Sequence, residues 1–110
     1  MVRETITRIE QQLKANDSLD AGKKQKLLSL VAELKQEVAA LEETHDEDAR
    51  SIASYAEASV HEATRTERNT ELLTHSLDGM ALSVRRFEVS HPRLTGLVNA
   101  IGQTLWKIGI

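Results

Sequence analysis

The chain has 110 residues, a formal net charge of −3, one proline and no cysteine, which is the size of one ordinary domain. Without cysteine there are no disulfides, thiolate metal ligands or cysteine nucleophiles, and the slightly acidic balance speaks against bulk nucleic-acid binding, which draws on a basic stripe. The start Met1-Val2-Arg3-Glu4 is charged at once and lacks an apolar signal core, and no run of eighteen apolar residues occurs, so the expected location is the cytoplasm.

Leu, Ile, Val and Phe make up roughly a quarter of the chain, enough for a folded protein. Phe, Tyr and Trp occur once each, and much of the remaining apolar content is alanine, which buries little area. Ordering a residue costs about 1.5 kcal/mol, so an aromatic-poor core of this size comes out near zero for a lone chain. That balance predicts an oligomer.

The first helix is expected over residues 3–15, where Val2, Ile6, Ile9 and Leu13 form one apolar stripe. Asn16-Asp17-Ser18 supplies turn chemistry, and Asp17 with Asp20 resembles a capping pair. A second helix, 18–42, carries Leu27, Val31, Leu34, Val38 and Leu41 at spacings of a heptad seam, and Leu28 and Leu30 widen it to suit a bundle. The acidic run Glu42 to Asp48 reads as a turn, with Thr44 and Glu47 as a capping box for the next helix.

From Ala49 to Phe87 a three–four rhythm continues without a slip, and neither glycine nor proline occurs between Lys23 and Asp78. The pattern predicts one helix over 45–89, in which the stretch from Ala49 to Phe87 alone is about 60 Å long at 1.5 Å per residue. Its first half presents small residues and its second half presents Leu, Met, Val and Phe. Asn69-Thr70 is its weakest point and Gly79 the next. The last helix, 92–108, is capped by Ser90 or His91, carries Pro92 in its first turn and is closed by Gly109. A left-handed Gly109 would fold Ile110 back onto Leu105.

Together these elements predict a single all-α domain over 1–110, an antiparallel helical bundle or coiled coil with one long helix, assembled as an oligomer with a dimer favoured. The expected oligomer or partner interface is Leu73, Leu77, Met80, Val84 and Phe87, with the last-helix stripe Leu94, Val98, Ile101, Leu105 and Ile108.

The element Phe87-Glu88-Val89-Ser90-His91-Pro92-Arg93-Leu94, followed by a hydrophobic helix ending Ile108-Gly109-Ile110, resembles a family of short bacterial proteins of uncharacterised function. Its members share F-E-x-S-H-P-x-L and finish in Gly-Ile. The resemblance implies a helical bacterial protein and no particular chemistry. Residues 44 to 70 stand outside it as an added helical stretch.

Candidate chemistry is sparse. Glu42 with His45 and Glu88 with His91 are E-x-x-H pairs, the spacing used by di-iron bundles, but both fall at helix ends, where a histidine meets the helix dipole. No metal site and no cofactor are expected. Glu57 with His61 and Glu71 with His75 read as i,i+4 surface pairs, and Lys23-Lys24-Lys26 and Arg85-Arg86 as solvated faces. Trp106 lies off the last helix's stripe, and its expected role is packing against a neighbouring helix or subunit. The expected function is non-enzymatic: helical self-association, or association with an unidentified protein partner. The alternatives are a peripheral membrane protein that lays residues 92–110 on the lipid surface and, less favoured, a metal site borne by the bundle.

Overall fold

A computed structural model describes residues 1–110 as five helices with no strand: α1 (Val2–Ala15), α2 (Ala21–Glu42), α3 (Asp46–Thr64), α4 (Thr70–Val84) and α5 (Pro92–Gly109), with one 3-10 turn (Arg85–Phe87) after α4. α2 starts later than the sequence suggests. Asn16 Oδ1 accepts from Ser18 N–H at 2.9 Å and holds a turn open, and Asp20, not Asp17, caps the helix by accepting from Lys23 N–H at 3.0 Å.

The long helix expected over 45–89 is two helices. α3 stops at Thr64, Arg65 is extended (ψ 152°), and α4 restarts at Thr70 with Asn69 Oδ1 accepting from Leu72 N–H at 3.0 Å. The break removes a few helical hydrogen bonds and provides replacements for them. Arg68 Nη1 donates to Ala63 O at 2.8 Å, satisfying a terminal carbonyl of α3, and to Ile108 O at 2.7 Å, tying that end to α5. In exchange the chain folds back on itself, and the apolar half of the expected rod is buried within the same molecule.

The bundle is antiparallel along α1–α2, α3–α4, α4–α5 and α2–α5. Glu10 pairs with Lys35 between α1 and α2, Asp48 with Arg86 at one end of α3–α4, and Glu33 with Arg93 between α2 and α5. α3 is the central element and touches each of the other four helices. One cluster of 23 buried side chains fills the interior, and the whole measures 37 × 25 × 21 Å.

α2–α3 and α4–α5 are two versions of one hairpin. At one constant offset Leu27 matches Leu73, Val31 matches Leu77, Leu34 matches Met80, Val38 matches Val84 and Leu41 matches Phe87, and all of these are buried or half-buried on the inner face. The same offset relates Glu42 to Glu88, Thr44 to Ser90, His45 to His91 and Ala63 to Gly109. The last pair meets in space: Ala63 Cα is 3.3 Å from where a Cβ on Gly109 would be, and Leu73 occupies the same place. Gly109 is therefore required for close helix packing. It lies inside α5 with no positive φ, and Ile110 is exposed, so the expected fold-back onto Leu105 does not occur.

Candidate functional site: the twin-histidine joint and the outer face of α4

Each hairpin turns at a histidine, in nearly the same way. His45 (φ −138°, ψ 64°) and His91 (φ −136°, ψ 64°) are the residues before α3 and α5. Each donates its backbone N–H back to the preceding helix, to Leu41 O and Phe87 O, both at 2.7 Å. Each carbonyl accepts the first bond of the next helix, from Ala49 N–H at 2.9 Å and Thr95 N–H at 3.2 Å. Each Nδ1 lies 2.8 Å from the hydroxyl of the residue before it, Thr44 or Ser90. The capping box expected from Thr44 and Glu47 does not form, because this hydroxyl serves the imidazole instead of a helix N–H.

The two joints meet over Phe87. Its ring centroid is 5.2 Å from that of His45 and 5.4 Å from that of His91, both edge-to-face, and the imidazoles are 6.4 Å apart. Arg86 lies over the Phe87 ring at 5.4 Å and reaches Asp48 at 3.4 Å. Thr44 Oγ1 also donates to Leu41 O at 3.4 Å. The E-x-x-H spacing thus marks a helix–turn–helix joint. No three of the chain's His, Asp and Glu side chains gather into a group able to hold a metal.

The other expected pairs fare differently. Glu57 is held by Arg8 of α1, through Nε at 3.0 Å and Nη2 at 3.3 Å, rather than by His61. That hydrogen bond first, and the charge of Glu57 second, raise the Arg8 guanidinium above its ordinary value. His61 reaches Glu62 at 4.0 Å instead.

Of the expected interface, Leu73, Met80, Val84, Phe87, Leu94, Val98, Ile101 and Leu105 are buried inside the chain, and Leu77 and Ile108 are half-buried against the same core. These side chains are occupied by the molecule's own helices, because the break at residues 65–69 brings α4 and α5 back onto α2 and α3. Most of the apolar residues of 92–110 are buried with them, while Trp106 and Ile110 stay exposed, and no helix is long and apolar enough to cross a membrane.

A different surface remains open. Leu72 and Gly79 are seven residues apart and share one side of α4. A Cβ on Gly79 would overlap the ring of Tyr55, so the glycine is what lets this α3 side chain lie across α4. Leu82 stands one turn further on. Leu72, Tyr55 and Leu82, 44%, 42% and 59% exposed, make an apolar strip of about 15 Å along the outer face. Sequence periodicity passed over it because Leu72 and Leu82 lie off the heptad seam. Two large leucines outside a seam were the available signal.

A family model described as a domain of unknown function (DUF4404) matches residues 2–110. The matched span includes residues 44 to 70. No curated protein and no solved structure matches the chain.

Proposed function

The chain belongs to the DUF4404 family, and from that premise we propose that it is a non-catalytic, cytoplasmic helical module that self-associates through the outer face of α3 and α4. One observation carries this reading: the strip Leu72–Tyr55–Leu82 stays open although the rest of the large apolar side chains of α4 are packed inside. Two exposed leucines of α4 with Tyr55 of α3 laid between them suit a second helix packed along this face. In a two-fold arrangement the strip meets its own copy. A stable interface buries about 800 Å² per partner, more than three half-exposed side chains provide, so the dimer is weak and concentration-dependent. His45 and His91 support a binding role over an enzymatic one, because their Nδ1 contacts and their packing on Phe87 account for them structurally.

Sedimentation velocity over a hundredfold range of concentration tests this. Wild type shifts toward a dimer at the upper end, and Leu82→Glu stays monomeric with an unchanged thermal melt. Monomeric wild type throughout, or a dimer indifferent to Leu82→Glu, would contradict the proposal.

A further inference from the structure

α2 and α5 enclose a groove of about 220 Å³ lined by Lys23, Lys26, Ala100, Gln103, Thr104 and Lys107. Three of its six lining residues are lysines, none is acidic, and the sole hydrophobic one is Ala100. The lysines arrive from helices far apart in sequence, and antiparallel packing of the start of α2 on the end of α5 puts them around one concavity.

Their lack of partners separates them from most other cations of the chain. Arg8, Lys35, Arg50, Arg65, Arg86 and Arg93 all pair with carboxylates, whereas none of Lys23, Lys26 and Lys107 has a carboxylate within 4.0 Å. Asp20, the acid nearest in sequence, uses Oδ2 to cap Lys23 N–H at 3.0 Å. Lys24, between the two α2 lysines, turns away to Lys14 O at 3.3 Å. In a molecule of net charge −3, three unpaired positive charges around one hollow make a local positive potential that favours an anion.

We infer that this groove is a binding site for a small polyvalent oxyanion of the phosphate class. Lysine ammonium groups act on phosphate as point charges that need no fixed fork, and the Gln103 amide offers neutral donors beside them. Pockets that enclose drug-sized ligands have volumes of about 300–1,000 Å³. This groove is smaller and fits a diphosphate group, leaving any attached organic part outside.

Titrating the ¹⁵N-labelled protein with inorganic diphosphate at constant ionic strength, followed by amide shifts, tests the assignment. Saturable shifts confined to the first turns of α2 and the last turns of α5 are expected, with each of Lys26→Gln and Lys107→Gln weakening binding about three- to five-fold and leaving the melting curve unchanged. A nucleoside diphosphate run in parallel distinguishes the source: equal affinity means the free anion suffices, and tighter binding means the phosphate belongs to a larger molecule. Shifts reproduced by sodium chloride at equal ionic strength, or affinities indifferent to both substitutions, would overturn the site.

Discussion

The two hairpins share a joint and differ in what they bury. α5 presents Leu94, Leu97, Val98, Ile101 and Leu105 to the core, whereas α3 presents Ala49, Ile52, Ala53, Ala56, Ser59, Val60 and Ala63. The difference follows from position. α3 is touched by all four other helices, and small side chains let several backbones approach one axis. α5 lies on the side of the bundle and supplies bulk. One duplicated plan thus yields a spacer helix and a filler helix, and the burial energy sits mainly in the filler and in the seams of α2 and α4.

The sharpest test of that contrast uses matched positions. Leu105 of α5 and Ser59 of α3 stand at the same point of the repeat, and both are fully buried. Leu105→Ala removes packed bulk and is expected to cost about 2–5 kcal/mol in chemical denaturation. Filling the spacer is the next largest effect: Ala56→Leu, at a fully packed crossing, should cost about 1–3 kcal/mol through overpacking. Gly109→Ala introduces a methyl group against Leu73 and Ala63, and clash outweighs gained helix propensity, for a net loss of about 1 kcal/mol. Ser59→Ala has the opposite sign. The Ser59 hydroxyl is buried without a hydrogen-bond partner, so removing it should stabilise the protein by about 1 kcal/mol. Equal losses at Leu105 and Ser59 would show that the two hairpins are packed alike, against this account.

The sequence disclosed the helices and the inner faces well, because helix spacing and burial are both local consequences of the three–four rhythm. Val2, Ile6, Ile9 and Leu13 are buried as their spacing requires, and so is the α2 seam from Leu27 to Leu41. What it did not disclose is that the rhythm folds back at all, although Asn69-Thr70, its weakest point, is where α4 restarts. The periodicity across Thr66 and Thr70 is unbroken, and the break depends on groups brought from elsewhere: the Arg68 guanidinium bridging Ala63 O and Ile108 O, and the Asn69 cap. The E-x-x-H pairs were visible as pairs, but their meaning as twin joints required seeing both histidines on Phe87. The α4 strip and the lysine groove needed the tertiary fold, since each combines residues from two helices.

The central claim is that the seams close within one chain through the turn at residues 65–69. The chain contains no cysteine, so cysteines placed at exposed Glu47 and Arg85 can carry a pair of spin labels, read by pulsed electron resonance. The fold predicts a separation well under 25 Å, the molecule's second dimension, unchanged when labelled protein is refolded with excess unlabelled protein. A separation near 57 Å, the length of about 38 helical residues, would restore the single long helix. A short distance that vanishes on co-refolding would show that the seams close between chains, and either result would contradict the account.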